Sequence, residues 1–115
     1  MPSRFRLSRA EVRAIQSSPF GRERGAFVDI VCGHDTRGPR AACVISKKVE
    51  PLATKRNTMR RRMKAALAAA LPDCKAPLSF ICIAKASARE ASSAALAREL
   101  ARLVGRAVIS YNARI

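Results

Sequence analysis

The spacing of apolar residues changes period several times along the chain, and each change predicts an element. Residues 26–32, AFVDIVC, alternate as a strand does, with Val28 and Ile30 on one face and Phe27, Asp29 and Val31 on the other. Beyond the turn-forming run GHDTRGP, residues 41–46, AACVIS, resume the strand pattern, so these two strands are expected to pair as an antiparallel hairpin. A third strand is predicted at LSFICIA, which Pro77 and Lys85 bound; it is too short for a stable helix and rich in β-formers. Helical spacing appears three times. Ser8-Arg9-Ala10-Glu11 has the form of a capping box and predicts a helix to about Gln16 or Ser17, before Ser-Pro-Phe-Gly breaks it. A second helix should run from Leu52 or Thr54 to Leu71, with Pro51 at an early position and Pro72 as its stop. Ser87-Ala88-Arg89-Glu90 repeats the capping-box spacing, and Leu96, Leu100, Leu103 and Val104 follow at helical intervals until Gly105 offers a C-cap. A short final strand is expected over residues 107–111. The order α, β, β, α, β, α implies an α+β fold, a small sandwich of helices on a sheet, in one domain over residues 1–115.

Composition narrows the class. Hydrophobic residues make up 49% of the 115, enough to build a core and too many for a disordered basic tail. Aromatic residues are only 4%, so that core is aliphatic. No apolar run approaches the roughly 18–20 residues of a membrane span, and the basic N-terminus leads into no signal-like stretch, which implies a cytoplasmic product with reduced thiols. Cys32, Cys43, Cys74 and Cys82 include no C-x-x-C pair. Three of them lie in apolar strand-like runs, so small buried hydrophobes are the expectation, and a cluster of Cys32, His34, Cys43 and Cys74 is the only metal site left to consider.

Charge changes the picture most. Lys and Arg number 23 against 8 Asp and Glu, a formal +15. Eight of the cations, Lys47, Lys48, Lys55, Arg56, Arg60, Arg61, Arg62 and Lys64, fall within eighteen residues opposed only by Glu50. On a helix, Met59, Met63, Ala66, Leu67 and Ala70 form one apolar stripe, while Asn57, Arg61 and Lys64 point away and Arg56, Arg60 and Lys64 make a row at four-residue spacing. Like charges at that spacing repel by a few tenths of a kcal/mol per pair, a cost that a polyanion removes. Arginine predominates and forms bidentate bonds to phosphate, so the favoured partner is nucleic acid and the plain alternative is a solvated face. Membrane binding is disfavoured because the helix has Ala and Met where interfacial helices insert large apolar groups. Catalytic side chains are not evident: there is one His, no G-x-S-x-G, no phosphate-binding glycine loop and no clustered carboxylates.

These residues resemble the bacterial ribonuclease P protein subunit. In that family a strand ending in Ser-Lys-Lys leads into a helix bearing an Arg-Asn-Arg signature, then an apolar residue, a basic pair and further basic residues. Here SKKV at residues 46–49 precedes KRNTMRRRMKAAL at 55–67, with Arg56 and Asn57 at the first two signature positions, Met59 at the apolar one, Arg60 and Arg61 as the pair and Lys64 beyond. Arg6-Leu7 before a short helix, the strand LSFICIAK and a last helix keep the family's order over nearly the whole chain. Three departures stand out. Thr58 replaces the third signature residue, with Arg62 able to take over its contact; Glu50-Pro51 replaces a glycine turn; and Val12 and Ile15 stand where relatives often carry Phe, which weakens base stacking there.

The resemblance implies a mixed sheet of the ribosomal protein S5 domain 2 type, with a left-handed βαβ crossover through the basic helix. It further implies an endoribonuclease that removes the 5′ leader of precursor tRNA, catalysed by a large RNA with Mg²⁺ held mainly by that RNA and with no catalytic or metal-binding residue in the protein. Lys47, Lys48, Lys55, Arg56, Asn57, Arg60, Arg61, Arg62 and Lys64 are the expected RNA-binding residues. Arg9, Val12, Arg13, Ile15 and Phe27 are the expected lining of a groove for the leader. A ribosomal or other structural RNA-binding protein is the alternative.

Overall fold

The computed structural model describes residues 5–115. Helix α1 (Arg9–Ser17) precedes strands β1 (Gly21–Arg24), β2 (Val28–His34) and β3 (Ala41–Val44); α2 (Ala53–Ala70) and a 3₁₀ turn (Leu71–Asp73) lead to β4 (Leu78–Ala84); a second 3₁₀ turn (Ala86–Glu90) leads to α3 (Ser93–Arg114). The strands form one sheet in the order β1-β2-β4-β3, with β1 and β4 antiparallel to β2 and β3 parallel to β4. The unit β3-α2-β4 is therefore a crossover between adjacent parallel strands.

The predicted hairpin of the second and third strands does not form, because β4 lies between β2 and β3. Residues 35–40 bridge the gap by passing over the start of β4, and only a glycine fits where they cross: a Cβ on Gly38 would lie 2.3 Å from the carbonyl oxygen of Leu78. Gly33, expected in the turn, belongs to β2, where α1 presses so close that a Cβ would meet Ile15 Cγ1 at 2.7 Å. Strand β1, whose GRER has no apolar alternation, adds an edge that the hydrophobic pattern did not predict.

Helices α2 and α3 cover one face of the sheet. The expected stripe of Met59, Met63, Ala66, Leu67 and Ala70 is buried there, against Val28, Ile30, Cys32, Phe80 and Cys82 of the strands and Leu96, Leu100, Leu103 and Val104 of α3. Helix α1 begins at the predicted capping box: the Glu11 amide donates to Ser8 Oγ at 3.2 Å, and the Ser8 amide donates to Glu11 Oε1 at 2.8 Å. Pro51 lies before α2, which starts with Leu52 at its N-cap.

The third helix starts later and ends later than its sequence pattern predicts. Ser92, not Ser87, caps it, accepting from the Ala95 amide at 3.0 Å; Ser87 Oγ instead donates to the Ala26 carbonyl. Gly105 does not terminate it, and residues 107–111 continue the helix, because Leu103, Val104, Ala107, Val108 and Tyr111 keep one apolar face on the core. Glu99 of α3 is buried and accepts the amides of Ala26, Phe27 at 2.8 Å and Val28 at 3.1 Å, which ties the β1–β2 turn to the helix.

Candidate nucleic-acid interface

With its apolar stripe buried, α2 turns its cations outward. None of the eight cations of residues 47–64 is paired with a carboxylate among the described residues. The ion pairs there involve Arg37, Arg40, Lys85, Arg89 and Arg102 instead. The α2 arginines bond only to neutral acceptors. Arg56 Nη1 donates to the Glu50 and Pro51 carbonyls at 2.9 and 2.8 Å, Arg60 Nη1 to Asn57 Oδ1 at 3.0 Å, Arg61 Nη2 to Thr58 Oγ1 at 3.3 Å, and Arg62 Nη1 to the Ala91 carbonyl at 3.4 Å. Lys47 and Lys48 are exposed just beyond β3. Such bonds aim the guanidinium groups and leave their charge uncompensated.

The helix has two flanks. Arg60 and Lys64 lie beside β3. Burial pushes the Cys43 thiol on that strand up to about 11, and the Lys64 and Arg60 charges act in the opposite direction. Lys55, Thr58 and Arg62 face the 3₁₀ turn before α3, where they line a cleft with Arg89.

On the other sheet face, α1 rests on a smaller apolar group of Ile15, Val31 and Ile81, flanked by half-buried Leu7, Val12, Val44 and Ile83. Between α1 and β3 runs a groove of about 370 Å³, lined by Leu7, Arg9, Val12, Arg13 and Gln16 on one side and Ala42, Cys43 and Val44 on the other. Arg9, Val12 and Arg13 thus line one groove. Ile15 is buried beneath them against Gly33. Phe27 is not with them: it precedes β2 and packs against the core under α2 and α3, on the opposite face. Sequence reasoning missed Arg22 and Arg24. Their registers, opposite Val31 and Asp29, place them on the α1 face, where Lys85 joins them at the rim. The alternation Arg22-Glu23-Arg24 was the available signal.

Helix α1 is anchored by charge. Arg40, its side chain 13% exposed, donates from Nε to Asp35 Oδ2 at 2.9 Å and pairs with Glu11 Oε2. Ser79 Oγ, fully buried in β4, donates to Asp35 Oδ2 at 2.7 Å and accepts the Arg40 amide at 2.9 Å. The Ser8 amide first, then Arg40, hold the Glu11 carboxyl below its usual range. Burial pushes the Asp35 carboxyl up, but the bonds from Ser79, the Arg37 amide and Arg40 outweigh it and hold that group low as well.

Among the described residues, no three His, Cys, Asp or Glu side chains converge where they could hold a metal ion, so the cluster of Cys32, His34, Cys43 and Cys74 does not assemble. The acids that could take part are engaged elsewhere: Glu11 and Asp35 on Arg40, Asp29 on Lys85, Glu50 on Arg89. No described helix is long and apolar enough to cross a membrane.

The fold has counterparts among solved structures. The ribonuclease P protein from Thermotoga maritima superposes with a TM-score of 0.77 at 15% identity, over 88% of this chain and 96% of that one. A Staphylococcus aureus RNase P protein mutant with defective mRNA degradation activity gives 0.76 at 16% identity, over 90% and 87%. Another S. aureus RNase P protein structure gives 0.74 at 16% identity, over 90% and 94%. No curated protein matches the sequence. The family model described as Ribonuclease P matches residues 3–108, nearly the whole chain. The chain therefore belongs to the ribonuclease P protein family, as a bacterial protein subunit of that tRNA-processing endoribonuclease.

Proposed function

We propose that the protein binds the catalytic RNA of ribonuclease P through α2 and the end of β3, and holds the 5′ leader of precursor tRNA in the groove beside α1. One observation carries this reading: eight cations are concentrated on one helix and one strand end while the ion-paired carboxylates of the fold serve other residues. Lys47, Lys48, Arg56, Arg60, Arg61 and Lys64 contact phosphates, and Asn57 both donates and accepts. The leader is held mainly through its backbone by Arg9 and Arg13, with Val12 and Val44 as an apolar floor, so sequence preference is low. Holding the leader favours precursor over mature tRNA and brings the scissile phosphate to the RNA's active site, a positioning contribution. Bond cleavage belongs to the RNA and the Mg²⁺ it binds; the protein's cations screen phosphates and lower the Mg²⁺ required.

The test is precursor-tRNA cleavage at low Mg²⁺ by a bacterial ribonuclease P RNA, with and without this protein. Stimulation at the mature 5′ end, lost in an Arg56, Arg60, Arg61 triple alanine variant, is the expected result. An RNA known to be folded and active that is neither bound nor stimulated would refute the reading and leave a structural RNA-binding protein.

A further inference from the structure

We propose that the cleft between α2 and the 3₁₀ turn Ala86–Glu90 is a second phosphate site, in which Lys55, Arg62 and Arg89 hold one backbone phosphate of the partner RNA and Glu50 competes with it for Arg89. The proposal rests on the RNA-docking reading above and extends it to a different flank of the helix. Arg62 is two residues from Arg60 and so about 160° around the helix from it. The β3 flank and this cleft therefore cannot be served by the same phosphate.

The cleft has a volume of about 280 Å³ and is lined by Glu50, Lys55, Thr58, Met59, Arg62, Arg89 and Glu90. Its cations are loosely held. Among the described residues, exposed Lys55 has no carboxylate partner and Arg62 reaches only a carbonyl, at 3.4 Å. Arg89 is half exposed, its Nε 3.5 Å from Glu50 Oε1. Glu50 is firmly placed: its side chain is 5% exposed, and Oε2 accepts the Leu52 amide at 3.2 Å, next to a helix start without a side-chain cap. A buried carboxylate thus holds a guanidinium at the edge of bonding distance, facing an open cleft with two further cations. A phosphodiester, which accepts two parallel N–H bonds from one guanidinium, is a better partner for Arg89 than this single long contact. Thr58 keeps the cleft open because its side chain is short and its hydroxyl is turned to the Thr54 carbonyl at 3.2 Å. The acids lining the cleft are Glu50 and Glu90, so removing either negative charge favours the anion.

Three substitutions, one of opposite sign to the other two, provide the test, in binding of full-length protein to a folded ribonuclease P RNA over a KCl series. Arg89→Ala should weaken binding several-fold and make the salt slope shallower by about one, as expected for one lost phosphate contact. Glu50→Gln should tighten binding several-fold, because Arg89 is released. Glu90→Gln, on the exposed rim, should act in the same direction and does not depend on the buried carboxylate. A merely structural Glu50–Arg89 pair would instead lower the melting temperature in both variants and leave the salt slope unchanged. An unchanged slope in Arg89→Ala alongside a shallower one in Arg61→Ala would overturn the second site and leave the docking role intact. Unchanged slopes in both would overturn the docking role itself. A loss confined to precursor affinity of the assembled holoenzyme would overturn assignment of the phosphate to the RNA subunit.

Discussion

The two faces of the sheet differ in how completely they are covered. Under α2 and α3, Val28, Ile30, Leu78, Phe80 and Cys82 meet two long helices, and none of the five has any exposure. Under α1, one nine-residue helix covers part of the face, burying Ile15, Val31 and Ile81 and leaving Val12, Val44 and Ile83 half exposed among cations. Folding free energy is concentrated on the first face because it scales with apolar area removed from water. The second face keeps apolar surface open and lines it with charge, the arrangement that a nucleic-acid chain would complete.

The largest effect that tests this contrast is in the core. Phe80→Ala should cost about 3–5 kcal/mol, whereas Ile83→Ala on the open face should cost about 1 kcal/mol or less in stability while weakening precursor binding. Urea unfolding combined with precursor affinity measures both, and equal destabilisation by the two would break the contrast. A smaller effect concerns the α1 anchor. Because the folded state holds Glu11 and Asp35 below their ordinary pKa values of 4.5 and 3.8, their stabilisation is present above those values. It is lost as pH falls through the lowered ones. The melting temperature of a Glu11→Gln, Asp35→Asn double variant should lie below that of the parent at pH 6, and the gap should close only as pH falls below 3.8 and through the lowered values. A gap independent of pH would show that the charges of this network contribute nothing. The smallest effect is an absence of reaction: burial raises all four thiols, Cys43 to about 11, so brief alkylation at pH 8 should leave them unmodified in the native protein and label them all in urea. Rapid native labelling of Cys43 would mean that α2 packs on β3 less closely beside Arg60 and Lys64 than the structure shows.

Features that local periodicity encodes were legible in the sequence. The buried stripe of α2, the span of β4 and the capping box of α1 were each read correctly from spacing alone, because a helix face, an apolar run between breakers and a Ser-x-x-Glu box are decided within a few residues. What depends on distant partners was not. Nothing in residues 26–46 indicates that β4 enters between their strands, and the turn-forming run that joins them favours a hairpin that the sheet does not contain. β1 is a short charged edge strand that owes its conformation to its pairing with β2, so it carries no hydrophobic signature. At Gly105 local propensity pointed the wrong way, since continued packing of Ala107, Val108 and Tyr111 on the core outweighs the cost of about 1 kcal/mol for a helical glycine. The candidate site divides in the same manner. The cations of α2 were visible as a run, but the cleft that joins Arg89 to Arg62 needed the fold, because their proximity depends on how the chain turns into α3.

The place of β4 in the sheet also dictates an order of assembly. Until residues 78–84 have been made, β2 and β3 each lack their inner neighbour, and α2 has no complete sheet to cover. A nascent chain therefore displays its most basic segment before it has the strand that closes its core. The contacts that finish the fold span long stretches of sequence, which slows the search for them. During synthesis the cationic segment is available before the rest of the molecule is stable, and an anionic partner present at that stage would meet the charge before it meets the shape.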